Sequence, residues 1–581
     1  MLKAAKKYDI INRKLYGGVH DMGALTVFPF FQGANELHIV FTLDVVLVAL
    51  LLYKMVKNGE FIFTKDIKFI MILIWSFSYL ITTFYSVDTE LSFLGFLKFF
   101  TVPLFIMVIM QYGYTIEQKD KWFNTVAEIG TIMVCIILVV SIGEKILGVE
   151  SGMFFYQNRL AGFFNYANSF ALFLLIGIII IGFKKELKVV DLIKINLLFV
   201  GILLTNSRAI MIISGFSYLL ILMFNRNMRK KNFINLGIMV IVGAIVTIIM
   251  SNFGVNNRLA ETTGNSSEWV LRILYYKDAL RLIVKNIFGY GYMAWWYMQE
   301  GFQTGAYDAK FVHNGLLQVA LDVGVIPALF IVVIFVMGFF DKKVQARDRV
   351  LMMIILGHSL IDFNMEFMAI MLVLFMTLEF TNKVKIKNSF KLRSGIVAVG
   401  CIYLFFGFVS LLNAFGRYDI GNTLFPYSIV LNKELEATTD AVKGVDLASK
   451  LYDKNKYFLN ASFWLSKKEQ AFGNYDKAYE YEVWIVKNKK YTMLNYIEYV
   501  SFLEKAIKFY YMNGDFREVN LYIERLLEVP DMINKVKDSS DSLAFKIAHK
   551  PRLDIPDEMI RFIEEMKKFG ESVNRTSFNQ P

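Results

Sequence analysis

Cysteine is nearly absent. Cys135 and Cys401 are the two in 581 residues, and both stand inside apolar runs, so neither a disulfide framework nor a thiolate metal site is on offer. A secretory leader is not indicated either. Five basic residues, Lys3, Lys6, Lys7, Arg13 and Lys14, fall within the first fourteen, but no apolar core with a small-residue cleavage site follows, which predicts a cytoplasmic arm. No loop on the loop-rich side carries Asp, Glu or His at metal-ligand spacing, since Asp88 and Glu90 are a lone pair in a short turn. No metal and no cofactor are therefore expected.

Positive charge is missing from alternate connections. KAAKKYDIINRK, KMVKNGEFIFTKDIK, EQKDKW, KKELK, NRNMRKKN, DKKVQARDR and KVKIKNSFKLR are basic, whereas YSVDTELS and DFNMEF hold no Lys or Arg. This alternation is the positive-inside pattern and puts the basic connections in the cytoplasm. It also sets aside the nucleic-acid partner that a formal charge of +12 would suggest if clustered in a soluble domain.

What is present in excess is apolar side chain: 56% of residues are hydrophobic and 16% aromatic, with mean hydropathy +0.45. The composition predicts an all-α polytopic membrane helix bundle of about twelve or thirteen spans. They fall near residues 19–35 (the weakest), 37–56, 67–85, 93–111, 123–147, 166–183, 191–206, 208–224, 233–251, 314–340, 350–364, 366–381 and 394–414. With an odd number of spans, the N-terminus is expected inside and the C-terminal region outside. The expected division is a membrane domain over 1–415 and an extracytoplasmic helical domain over 416–581 with a disordered tail. The expected location is a cytoplasmic membrane.

One connection, about 252–313, is far too long for a hairpin between spans, and long connections in compact folds usually carry function. A helix is predicted from Ser266 or Ser267, with Glu268 in its first turn and Ile273, Leu274, Leu280, Ile283, Val284 and Ile287 along an apolar side. Arg272 sits one turn in. GYGYMAWW follows, and His313 closes the loop at the mouth of the next apolar run.

The connections on this side bring together arginines. Arg159 lies in FFYQNRLAGFFNYANSFALFL with Gly162, Asn165 and Asn168, Ser207-Arg208 must form a whole turn between two spans, and Arg258 and Arg272 lie in the long loop. A lone external Arg reads as a snorkelling anchor. Four in connections that converge suit a phosphate-bearing lipid, because the guanidinium is a planar fork that stays charged.

Other residues keep two readings. His313 taken singly is a polar helix-start residue satisfied by water, and Arg272 can pair with Glu268 at i−4 for little gain. Trp295, Trp296 and Tyr297 fit an interfacial belt or a sugar-stacking platform. His358 and Asp362, four apart, are expected on one helix face as a pair that orients helices, outside the candidate site.

From Asn413 the composition turns soluble. Two helix–turn–helix units have turns at Gly473-Asn474 and Asn513-Gly514, about 41 residues apart and similar in kind to tetratricopeptide units. Their aromatic stripes are expected to be core between stacked hairpins. Such repeats would also offer a surface to envelope-protein partners.

RLAGFFNYANSFA, the SRA turn at Ser207–Ala209, the R-x-x-x-Y-x-x-A-L frame at Arg272–Leu280, the GYG at Gly289–Gly291 and VHNGLLQVALDVG occur in that order across about residues 150–365. Together they resemble the O-antigen ligase and polymerase superfamily, with one departure: Asp322 stands where Glu is usual.

The resemblance implies transfer of sugar from a polyprenyl (undecaprenyl) diphosphate-linked saccharide to an acceptor hydroxyl on a glycan, lipid or protein, on the outer membrane face. It assigns His313 as catalytic base, Arg159, Arg208 and Arg272 as diphosphate ligands, and Arg258 and Asn314 as positioning residues. Histidine as a residue type, with an unperturbed pKa of about 6.5, suits the acceptor's proton. The acidic first loop is similar to that of metal-using lipid-linked transferases of other families, which leaves metal assistance open. A flippase would predict an internal repeat of spans, which is not seen. A scaffold gives no reason for the arginines. Richness in Lys, Asn, Ile and Phe fits a low-GC bacterial genome, and so a capsule or other surface polysaccharide.

Overall fold

The computed structural model describes residues 23–149, 151–157, 159–252, 267–547 and 553–577. The chain runs through α1 (Leu37–Asn58), α2 (Ile67–Thr82), α3 (Thr89–Gln111), α4 (Ile116–Leu147), α5 (Ala167–Gly182), α6 (Val189–Thr205), α7 (Arg208–Phe224) and α8 (Arg229–Asn252). It continues through α9 (Ser267–Lys285), α10 (Ala294–Phe302), α11 (Gly315–Val323), α12 (Val325–Phe340), α13 (Ala346–Ser359), α14 (Met368–Met376) and α15 (Phe390–Ala414). Among the described residues five helices are long and apolar enough to cross a membrane, at Leu37–Asn58, Thr89–Gln111, Ile116–Leu147, Arg226–Ile249 and Phe390–Ala414, with four shorter apolar helices beside them. The chain is an all-α polytopic membrane protein.

Among the described residues sheet is confined to two short ribbons. β1 (Glu60–Thr64) pairs antiparallel with β4 (Lys383–Lys387), joining two basic connections, and β2 (Phe155–Tyr156) pairs with β3 (Arg159–Leu160) at the opposite end of the bundle.

Four expected spans take another form. The weakest, 19–35, is from Gly23 onward three short 3-10 turns, not a helix. Gly33 there packs so closely on Phe164 and Phe367 that a Cβ would lie 2.4 Å from the Phe164 ring. The span at 314–340 is broken at Gly324 into α11 and α12. The next two are shorter than expected: α13 stops at Ser359 and α14 starts at Met368, so the turn between them holds Asp362.

The break at Gly324 has a partner. A helix end leaves carbonyls without intrahelical donors, and the GYG segment supplies them: Tyr290 donates to Leu321 O at 2.7 Å and Gly291 to Asp322 O at 3.0 Å. Val325 N–H in turn donates to Ile287 O at 2.9 Å. The approach demands glycine, because a Cβ on Gly289 (φ +87°) would meet Asp322 O and Gly324 N at 2.7 Å. Irregular backbone is tolerated at membrane depth where other protein satisfies it.

Beyond α15 come α16 (Tyr418–Leu424), α17 (Ser428–Ala437), α18 (Ala441–Lys454), α19 (Leu459–Ala471), α20 (Tyr475–Asn488), α21 (Met493–Met512), α22 (Phe516–Leu527), α23 (Val529–Asp538) and α24 (Asp557–Ser577). The turns after α19 and α21 use Gly473 and Gly514, both at positive φ. One apolar core continues from the membrane helices through Val430, Leu447 and Ala461 to Leu465, and a second, with Tyr499, Phe502 and Tyr522, begins at Ala478. The buried side chains of α17 to α19 thus belong to the same core as the bundle.

These helices also hold the short turn before α3. Asp88 caps α3 through Leu91 N–H at 3.0 Å and accepts from Ser428 Oγ and from Asn455 Nδ2 at 3.0 Å, while Glu90 pairs with Lys454. The two acidic residues of that turn are committed to packing. Among the described residues no group of three or more His, Cys, Asp or Glu could hold a metal ion.

Candidate functional site

The site forms where the connections opposite the basic end meet, and its hub is Asp362. This carboxylate, 1% exposed, accepts from Tyr166 Oη at 2.9 Å, Asn168 Nδ2 at 2.7 Å and Phe363 N–H at 2.9 Å. His313 Nδ1 lies 3.2 Å from it and an Arg272 guanidinium nitrogen 3.6 Å. Burial alone would push its pKa up. The hydrogen bond from His313 and the Arg272 charge outweigh that and hold Asp362 well below the usual carboxylate range. Arg272 shifts the opposite way: burial would lower it, but Asp362 raises it.

An ionised Asp362 takes a proton donor from the imidazole, so His313 presents its Nδ1–H to the carboxylate and its Nε2 lone pair away from it. Ring contacts fix the plane. Tyr275 stacks on the imidazole at 6.0 Å and Phe363 meets it edge-on at 5.0 Å. Tyr276 Oη donates to His313 O at 2.8 Å, and burial pushes that phenol up to about 12, so it remains a donor. The His313 backbone is left-handed (φ +57°), as are Asn165 and Asn206 nearby in the chain to Tyr166 and Ser207. Such conformations in non-glycine residues cost on the order of 1–3 kcal/mol and gather at functional sites.

The remaining sequence candidates divide. Arg159 joins the hub indirectly: its Nη2 donates to Asn168 Oδ1 at 2.6 Å, its Nε to Thr205 O at 3.1 Å, and Ser207 Oγ donates to the same Asn168 oxygen at 3.0 Å. Arg208 follows that serine and faces Glu268 at 3.9 Å. Glu268, the carboxylate that the sequence offered to Arg272, thus lies near Arg208 as well, and it adds to the charge that raises Arg272, whose ion pair at 3.6 Å is with Asp362. Asn314 caps α11 through Leu316 and Leu317 N–H, both 3.1 Å, and donates to Leu360 O at 2.9 Å. Arg258 lies outside the described residues.

The expected His358–Asp362 helix-face pair does not form, because α13 ends between them. His358 Nδ1 instead meets Asn364 Nδ2 at 2.6 Å. Asp362, Tyr166, Asn168 and Tyr276 belong to the site without having been among its sequence candidates, although Tyr166, Asn168 and Tyr276 stand in the motifs quoted above. A signal for Asp362 existed: its turn, DFNMEF, is acidic and free of Lys and Arg on the side where the arginines collect.

The helix carrying Arg272 also differs from expectation. Its buried side is Val270, Leu274, Tyr275, Ala279, Leu282 and Ile283. Ile273, Leu280, Val284 and Ile287, placed on one apolar side with Leu274 and Ile283 from sequence, form with Trp269 a separate, exposed apolar stripe at helical spacing. That stripe suits a helix lying in a membrane interface. The aromatic run splits as well. Trp295 is buried and donates to Ala309 O at 2.9 Å, Tyr297 is buried, and Trp296 lines a cavity.

Residues 195–341 match the O-Antigen ligase family. No curated protein matches the chain. No solved structure matches it. The matched segment contains Arg208, Arg272 and His313, whereas Arg159 and Asp362 lie to either side of it.

Proposed function

We propose, from the match of residues 195–341 to O-Antigen ligase, that the chain transfers saccharide from a polyprenyl diphosphate-linked donor to an acceptor hydroxyl. We place the reaction on the outer face of a bacterial cytoplasmic membrane, in surface-polysaccharide assembly. The observation that carries this reading is the shared carboxylate: Asp362 contacts both His313 and Arg272, a base and a cation held in one frame.

The chemistry follows from that frame. The acceptor oxygen attacks the anomeric carbon as the bond from that carbon to the diphosphate oxygen breaks. The hydroxyl proton passes to His313 Nε2, which later yields it to water, and the electron pair of the broken bond leaves with the lipid diphosphate. Negative charge grows on that leaving group, so guanidinium donors fixed in advance stabilise the transition state more than the ground state. Arg272, Arg208 and Arg159 are assigned to it. Asp362 keeps the imidazole in the tautomer that accepts at Nε2, the part a carboxylate plays behind a catalytic histidine in hydrolases.

The basic connections are then cytoplasmic, and the exposed stripe of α9 rests at the headgroup level where a diphosphate would lie. A transfer assay in proteoliposomes tests the reading. Purified protein given a lipid diphosphate-linked oligosaccharide is expected to release lipid diphosphate and extend an acceptor, and Arg272→Ala is expected to abolish both. Wild-type release by Arg272→Ala would overturn it.

A further inference from the structure

The cavity that Trp296 lines shares a wall with the site. It measures about 360 Å³ and lies among the starts of α1 and α10, the middle of α3, the end of α15 and the helix α17. The common wall is aromatic and acidic. Phe311 lines the cavity and stacks on Phe363 at 4.8 Å, and Phe363 meets the His313 ring at 5.0 Å. Glu366, on the same turn as Asp362, binds the cavity residue Lys98 at 2.8 Å.

The charges on the lining are mostly positive: Lys98, Lys310 and Lys433 against Glu36, with His38 beside them. Lys98 is buried and neutralised by Glu366, with Tyr292 Oη at 3.1 Å and Asn35 Oδ1 at 3.4 Å. Lys310 and Lys433 differ. Each lies over an aromatic ring, Phe311 at 5.6 Å and Tyr418 at 5.8 Å, and neither has a carboxylate partner among the described residues. Trp296, Tyr292 and Tyr427 give the lining flat faces with polar edges, the surface that takes sugar rings.

We propose that this cavity binds an anionic saccharide of the acceptor glycan, with Lys310 and Lys433 facing its charge and Trp296 against its ring. The proposal rests on the transferase reading, since an acceptor must lie beside the base. Lysine rather than arginine suits it: a point charge on a flexible stem attracts a carboxylate or phosphate without fixing its orientation, as a glycan that must advance requires.

Binding to the full-length protein in lipid nanodiscs tests this, with a short oligogalacturonate, mannose 6-phosphate and a neutral maltooligosaccharide as probes. Oligogalacturonate is expected to bind more tightly than the neutral sugar, and less so as salt rises. Lys310→Glu with Lys433→Glu should weaken it roughly tenfold or more at an unchanged melting temperature. Binding of mannose 6-phosphate in place of the uronate would identify phosphate as the anion recognised. Equal affinity for the neutral probe, or an unchanged affinity in the double variant, would overturn the proposal. His313→Ala should keep this binding, so loss of the transferase reading and loss of the anionic subsite are read in separate assays.

Discussion

Asp362 differs from the arginines in that it touches no substrate in this account and yet sets the state of two groups that do. Asp362→Asn keeps the shape but ends the obligatory acceptor role, so the imidazole loses its fixed tautomer. Turnover should fall by roughly 10²- to 10⁴-fold with the protein still inserted and abundant, as measured by single-turnover transfer. Asp362→Ala is harsher. It strips a buried partner from Arg272 and should also cost about 3–5 kcal/mol of stability, read as a lower melting temperature. Asn314 stands apart, because its side chain is spent on the α11 cap and on Leu360 O. Asn314→Ala should cost about 1 kcal/mol of stability and little turnover.

Arg159, Arg272 and His313, which the fold gathers around Asp362, were singled out from sequence by their place in connections on one side of the bundle. Asp362 was not. Its spacing from His358 matched a helix face, and only the end of α13 at Ser359 reveals that the two belong to different local structures.

At the scale of elements, breaks matter as much as helices. α11 and α12 read as one long apolar span, and nothing in periodicity distinguishes a broken span from a whole one. The GYG segment that satisfies the broken end lies about thirty residues earlier in the chain, a pairing that only the fold brings together. Gly289→Ala should therefore act at a distance from the chemistry. A Cβ 2.7 Å from Asp322 O, on a backbone at positive φ, should lower stability by roughly 1–3 kcal/mol. Gly215→Ala, where a Cβ meets nothing within 4 Å, is the matched control and should be neutral or slightly stabilising. Thermal unfolding of both in detergent measures the difference. The stripe on α9 makes a related point: apolar spacing gave the helix, but two apolar sides share it, and sequence does not say which one meets protein.

Across the whole molecule, the C-terminal helices and the long loop are coupled. Lys277 on α9 pairs with Asp541 at 2.9 Å, Asp541 N–H donates to Thr304 O at 2.8 Å, and Val270 and Leu274 pack with Ala544 and Ile547. The helical hairpins were readable from their glycine turns, but this docking was not, since it depends on which faces meet. Asp541→Lys should loosen α9 and lower turnover several-fold without changing abundance, whereas wild-type turnover would show that the contact is passive. Orientation is checked in a variant with Cys135 and Cys401 replaced: a cysteine at Ser539 should react with a membrane-impermeant maleimide in intact cells, and one at Lys342 only after permeabilisation. The opposite pattern would invert the molecule.

The central claim is that His313, held by Asp362, takes the acceptor's proton while the arginines hold the departing diphosphate. Turnover and donor affinity of His313→Ala, measured on the same purified protein with a lipid diphosphate-linked saccharide, test it most directly. Turnover is expected to fall by roughly 10²- to 10⁴-fold with donor affinity retained, and near-wild-type turnover across the pH range would contradict the account.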